Sequence, residues 1–378
     1  DAKWNLVQKH CGKPIASFAG SKSSRCRFAW DFPVSRLRSI LEPVMTIRSL
    51  LPMLTQESLV SCYRVLNKDS KTVALIYFDE HITQGTDAKF RAVTVKGIRG
   101  YNNVFQALCD FFSTCGINTE APFSAPLEYG VQSLGRLPGD YTSKFSIELN
   151  PEMVSRQAMM FIYRQLLETM EHNMQGIIED IDTEFLHDFR VAIRRTRSGL
   201  GQVKGVLPDK ILIKAKNDFS WLGSVTGPTR DLDVYLLERE QYLQRLPADL
   251  RPFLDYFFAD IARQRKKEQQ LLVRNLRSKK CKQILESWHE FLYGDVTYGE
   301  TKRSGQSIGS LARDIIFRKY NKIMKDGSAI KRSSPDEDLH RLRIQCKKLR
   351  YILEFFTSLF PPAKMKVAIK QLKRLQDN

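Results

Sequence analysis

The sequence predicts an α+β N-terminal domain followed by an all-α domain, and three observations carry that division. Short alternating runs rich in Val, Ile and Tyr lie before residue 115. Long periodicities of 3.6 residues take over from Pro151. Between them, residues 116–150 collect Gly130, Gly135, Gly139, Pro122, Pro126 and Pro138 with little periodicity, which reads as a connection. The expected parts are therefore 1–115, 116–150 and 151–378, and 378 residues are enough for two ordinary cores.

In chain order, residues 61–66 and 71–79 flank the turn-like Asn67-Lys68-Asp69-Ser70 and predict a hairpin. Residues 89–101 alternate again, and 103–115 predict a short amphipathic helix. Further on, helices are expected at about 151–179, 182–206, 210–222, 232–246, 248–276, 279–293, 307–325, 336–359 and from 363 onward. Pro151 suits a first helical turn, and Ser334-Pro335-Asp336-Glu337 is a helix start with acid placed at the positive end of the dipole. Gly227-Pro228-Thr229 also predicts a start, with Thr229 and the following Asp as capping groups rather than Mg²⁺ ligands, and with Arg230 pairing nearby acids.

Hydrophobic residues at 42% and charged ones at 27% are ordinary for a globular protein. The net charge of +18 is not ordinary, and a field of that sign gathers polyanions. Residues 1–150 hold 18 Lys+Arg against 13 Asp+Glu, and the remainder holds 42 against 29, so most of the excess lies in the helical part. Seven scattered cysteines without a CxxC pair argue against a disulfide framework or a zinc site and predict a reducing compartment. The chain opens on Asp1 rather than Met, with no apolar leader or membrane-length apolar run, and the expectation is a cytoplasmic protein without membrane insertion.

The helical part contains an internal repeat at an offset of 153 residues. Leu186-His187-Asp188-Phe189-Arg190-Val191-Ala192-Ile193-Arg194-Arg195-Thr196-Arg197 aligns with Leu339-His340-Arg341-Leu342-Arg343-Ile344-Gln345-Cys346-Lys347-Lys348-Leu349-Arg350. At 100° per residue, His187, Arg190, Arg194 and Arg197 share an arc of about 80°, as do His340, Arg343, Lys347 and Arg350. Beside them run Leu186, Phe189, Ile193 and Leu200 in the first copy, and Leu339, Leu342, Cys346 and Leu353 in the second. A single such ridge would read as a solvated helix face. Solvated faces ordinarily intersperse acids that stabilise the helix, however, and these two do not. Like charges repeated twice along three turns point to an anionic ligand that offsets the repulsion. Arg forks and Lys point charges at steps of about 5 Å suit regularly repeated phosphates, and a bound polyanion would favour protonated histidine. The same cations argue against a metal ion, and no cofactor is expected. Two other basic runs, residues 263–282 and Arg318-Lys319 with Lys322, read mainly as solvated helix surface.

These segments resemble the CHAD family, the conserved histidine α-helical domains. The likeness is carried by HDFRVAIRRTR at 187–197, LGSVTGPTRDLDVY at 222–235 and HRLRIQCKKLRYILEFF at 340–356. It covers about residues 145–378. It implies two pseudo-symmetric four-helix bundles around a basic central pore, non-catalytic binding of inorganic polyphosphate, and association with polyphosphate granules. It places His187, Arg190, Arg194, Arg197, His340, Arg343, Lys347 and Arg350 on that pore, with Arg195, Lys348, Arg230, Arg318 and Lys322 as secondary contacts. By analogy with the first copy, a further turn and helices would follow Asn378, so the C-terminal end is expected to be incomplete.

Residues 1–115 resemble a degenerate CYTH domain through YRVLNKDSKTVALIYFDE at 63–80 and KFRAVTVKG at 89–97. CYTH triphosphatases hold a divalent metal on an ExExK strand, and no ExExK occurs in this sequence, so no enzymatic activity is expected. Arg91, Lys96 and Arg99 stand where acids would be needed. Nucleic-acid binding is the competing function, because the same charge attracts backbone phosphates, and a CYTH-type triphosphatase acting on tripolyphosphate is the third reading. No base-reading motif accompanies that charge.

Overall fold

The computed structural model describes residues 2–7, 14–20, 26–117, 122, 124–136, 141–142, 145–247, 249–294, 299–331 and 333–377. Cys11, Pro138 and Gly139 lie outside the described residues. The chain divides into two compact units, Asp1–Thr142 and Ser143–Asn378.

In the first unit, β1 (Ala2–Val7) pairs antiparallel with β2 (Pro14–Gly20), and α1 (Arg36–Met45) follows, capped where the Ser35 hydroxyl accepts from the Arg38 amide. A separate antiparallel sheet has the order β3 (Gln56–Leu66), β4 (Thr72–Thr83), β5 (Lys89–Gly97). The expected hairpin is present with its turn at Asn67–Ser70. The Asn67 side-chain oxygen accepts from the amides of Asp69 and Lys71 at 3.0 and 2.9 Å, and Ser70 takes a left-handed φ of 59°. The amphipathic helix expected at 103–115 is present as α2 (Asn102–Thr114), which buries Phe112. The stretch expected to be a bare connection contains α3 (Ala125–Ser133), in which Pro126 occupies a first-turn position, where a missing amide hydrogen is harmless.

The second unit is helical: α4 (Ser155–Ile178), α5 (Thr183–Gln202), α6 (Asp209–Val225), α7 (Gly227–Leu237), α8 (Arg239–Arg245), α9 (Arg251–Leu276), α10 (Lys279–Tyr293), α11 (Ile308–Ser328), α12 (Asp336–Phe355) and α13 (Pro362–Asp377). α11, α12 and α13 each begin 153 residues after α4, α5 and α6. An isolated antiparallel bridge joins Val154 to Ser307, two residues related by the same offset. It is held by Ser155 N to Gln306 O and Ile308 N to Met153 O, both 2.8 Å. One core runs through the unit, from Ile162, Tyr163 and Leu166 of α4 through Phe189 and Ile193 of α5 to Phe219, Trp288, Leu311 and Phe355. Each such side chain contributes about 1.5–3 kcal/mol by leaving water.

Two sequence expectations are corrected here. The helix expected from 232 begins at Gly227, because Pro228 lies inside its first turn, so Thr229 is buried within the helix rather than capping it. And Arg265, expected on a solvated surface, is an internal brace. Its Nε donates to Asp233 at 2.8 Å and its Nη2 to Asp180 at 2.6 Å, joining α7 and the end of α4 to α9, while Asp233 is 1% exposed.

Candidate functional site

α5 is set by its cap and its apolar stripe. The Asp182 carboxylate accepts from the amides of Glu184 and Phe185 at 2.8 and 3.3 Å, satisfying two of the unpaired donors of the first turn. Leu186, Phe189, Ile193 and Leu200 are buried, as expected. That fixes the neighbouring arc: His187 and Arg190 are half-buried, while Arg194 and Arg197 are exposed. α12 starts with Asp336, Glu337 and Asp338 in its first turn. Its stripe is only partly buried. Cys346 and Leu353 are inside, but Leu339 is 52% exposed and Leu342 half-buried, because the first turns of α12 pack on α11 near Gly327 rather than within the main core. His340 and Arg343 are consequently exposed.

α5 and α12 pack directly on each other, with contacts running antiparallel. Arg195 meets Glu354, and the Gln202 side chain donates to the Lys348 carbonyl at 3.2 Å. This brings the two ridges into one basic surface. Lys347 has Arg194, Arg343 and Arg350 as its charged neighbours, and burial first, then those like charges, hold its ammonium below the usual lysine range. Arg194 and Lys347 are the residues that the repeat makes equivalent. Arg194, Arg197, Arg343 and Lys347 have no carboxylate partner among the described residues.

The remaining members do different work. Arg190 is fastened to the α6–α7 junction, with Nη1 donating to Thr226 Oγ1 at 3.0 Å and to the Gly223 carbonyl at 3.3 Å. Burial lowers its pKa from the usual arginine value, Asp231 opposes that, and Arg194 and Arg230 add to it. The glycines of LGSVTGPTRD lie beside two of the ridge arginines. A Cβ on Gly223 would lie 2.9 Å from Arg197 Nη1, and one on Gly227 would lie 3.6 Å from Arg190 Nη1. Arg350 bonds Glu354 and stacks over Tyr351 at 4.7 Å. Of the secondary residues, Arg195 is turned inward, donating to Glu354 at 2.9 Å over the Phe145 ring. Arg230 pins the start of α5, donating to the Thr183 carbonyl at 3.2 Å with Glu184 at 3.9 Å, which is the acid pairing expected of it. Lys348 is exposed on α12, and Arg318 and Lys322 are exposed on α11. Sequence reasoning missed Glu354, whose partner Arg195 lies 159 residues away.

The CHAD domain family matches residues 162–378, more than half of the chain. This protein belongs to the CHAD family. No curated protein matches the sequence. Among solved structures, the crystal structure of the CHAD domain from the plant Ricinus communis is similar at TM-score 0.52 and 24% identity, over 63% of this chain and 77% of that one, which shows a shared fold. PptA from Streptomyces chartreusis is similar at TM-score 0.45 and 12% identity, over 59% of this chain and 82% of that one. The helices α5 and α12 and the turn into α7, which carry the two ridges and hold Arg190, lie within the matched residues.

Proposed function

We propose that the paired ridges of α5 and α12 bind inorganic polyphosphate without chemical turnover. The observation that carries this is the packing of α5 on α12, which makes Arg194 and Arg343 charged neighbours of Lys347, while neither these three nor Arg197 has a carboxylate partner among the described residues. Uncompensated like charges on two packed helices cost stability, and a flexible chain of phosphates offsets that cost with charge-assisted hydrogen bonds along its whole length. The 153-residue offset of the helices and the Val154–Ser307 bridge support two related halves sharing one basic cleft. Association with polyphosphate granules would follow from such binding. The β3–β5 sheet is read as an accessory, degenerate CYTH-like domain. Arg91 on β5 is engaged with Glu80 at 3.2 Å, and the sequence has no ExExK strand.

The test is calorimetric titration at physiological salt with long-chain polyphosphate, short duplex DNA and single-stranded RNA. Polyphosphate is expected to bind tighter than either nucleic acid, and Arg194→Ala/Lys347→Ala to weaken it about tenfold or more while helicity is kept. Equal binding of all three polymers would replace the reading with general polyanion or nucleic-acid binding. Phosphate release from tripolyphosphate with Mg²⁺ or Mn²⁺ would refute the non-catalytic part.

A further inference from the structure

A second basic feature lies off the ridges. The end of α5 with the turn to Gly205, the segment Lys302–Gln306 and the middle of α11 border an open cleft of about 1140 Å³. Its wall carries Lys204, Lys302, Arg303, Arg318, Lys319 and Lys322 against one acid, Asp314. Arg303 already occupies that acid at 2.7 Å, and Arg303 is itself fixed by Gln306 at 3.0 Å and by its amide to the Gly205 carbonyl at 2.7 Å. The four lysines are left without a carboxylate partner among the described residues.

Lys319 is part of this wall. The repeat aligns it with Leu166, a core residue 1% exposed in α4. A lysine therefore stands, half-buried, where the first copy places a core leucine. Burial, followed by Lys348, Arg318, Lys322 and Lys204, holds its ammonium below the usual lysine range. A desolvated cation ringed by cations gains nothing from the folded chain alone, and a solvated helix face would have turned it to water. The concave shape also differs from the exposed track of α5 and α12: it converges charges on one point rather than spacing them along a line.

We propose that this cleft is a second anion site, taking a compact cluster of phosphates such as an oligophosphate of a few units. Lys348 of the ridge helix α12 is a charged neighbour of Lys319 in the cleft wall, so the cluster has two possible sources: a separate small oligophosphate, or a stretch of longer polyphosphate leaving the ridge. Arg318, Lys322 and Lys348 are also the secondary contacts that the family resemblance implies; what the cleft adds is the converging group of Lys204, Lys302 and Lys319, and its small-ligand test is separate from that of the ridges.

The experiment titrates the full chain with sodium tripolyphosphate and, separately, with long-chain polyphosphate, at low salt. Two cleft variants guard against a folding artefact: Lys204→Ala/Lys302→Ala at exposed positions, and Lys319→Met/Lys322→Ala, which keeps an unbranched apolar stem at Lys319. Both are expected to weaken tripolyphosphate binding about tenfold, while Arg194→Ala/Lys347→Ala changes it less than about threefold. If the cleft variants also weaken the long chain, the cleft receives part of that chain; if they leave it unchanged, the cleft serves a separate small ligand. Absence of tripolyphosphate binding, or a loss as large in the ridge variant as in the cleft variants, overturns the second site. Failure of the ridge reading shows separately, as long-chain affinity unchanged by Arg194→Ala/Lys347→Ala.

Discussion

Glu354 of α12 ties the two ridge helices together by accepting from Arg195 of α5, and Glu354→Gln isolates what it contributes. Its Oε2 accepts from Arg195 Nη2 and Nε at 2.9 and 3.3 Å, and its Oε1 from Arg350 Nη1 at 2.5 Å. All three side chains are 12–15% exposed, so water screens the group only weakly. Charge-assisted hydrogen bonds contribute about 1.5–3 kcal/mol each, and a neutral acceptor roughly 1 kcal/mol. The glutamine keeps one acceptor at neutral strength and turns its NH₂ toward a guanidinium that can only donate. The expected loss is about 2–4 kcal/mol, at the lower end of what breaking a buried ion pair costs. For the 236 residues of the helical unit that corresponds to a fall in melting temperature of about 5–15 °C, read by calorimetry or circular dichroism. Long-chain polyphosphate should restore more stability to Glu354→Gln than to the unsubstituted chain, because the ligand supplies the negative charge removed from between the ridges. A melting temperature within about 1 °C of the unsubstituted chain, or an equal ligand-induced shift in both proteins, would refute Glu354 as the electrostatic link between α5 and α12.

Binding of polyphosphate should take up protons at alkaline pH. The Lys347 and Lys319 ammonium groups lie below their ordinary value of 10.5 in the free protein, and phosphate raises them again. The sign for stability follows: the unfolded chain binds more protons between the lowered folded value and 10.5, so these lysines destabilise the fold below that window and the penalty fades as pH rises through it. Calorimetry at pH 9–9.5 in buffers of different ionisation enthalpy measures the uptake, and Lys347→Met should reduce it; no dependence on the buffer would contradict the placement of Lys347. Away from the site, Arg265→Ala should cost about 3–5 kcal/mol, because Asp233 at 1% exposed loses its cation. Urea denaturation checks this, and a loss below about 1 kcal/mol would show that Asp233 is relieved by water.

The fold and the ridges were legible because both depend on local periodicity. Leu186, Phe189, Ile193 and Leu200 mark the buried side of α5, and burial of that side alone dictates where His187, Arg190, Arg194 and Arg197 point. The hairpin at Asn67–Ser70 was legible for a related reason, since an asparagine that satisfies its own turn amides needs no distant partner. Legibility ended where a cation's role depends on a residue far along the chain. Arg195 and Arg194 are adjacent and chemically identical, yet one turns inward to Glu354 and Phe145 while the other is exposed, a charged neighbour of Lys347. Arg265 and its basic neighbours Lys266 and Lys267 look alike in the sequence, and only Asp180 and Asp233, 85 and 32 residues away, single it out. Within the repeat, the divergence of Lys319 from Leu166 was a signal available from residues alone. A polar residue substituted at a core position of a repeated element must be satisfied by something new, and the cations that Lys319 meets inside the chain cannot satisfy it. The ridges are what the two copies share, and the cleft arises where they differ. The shared motif by itself therefore marks the ridges and leaves the cleft unmarked.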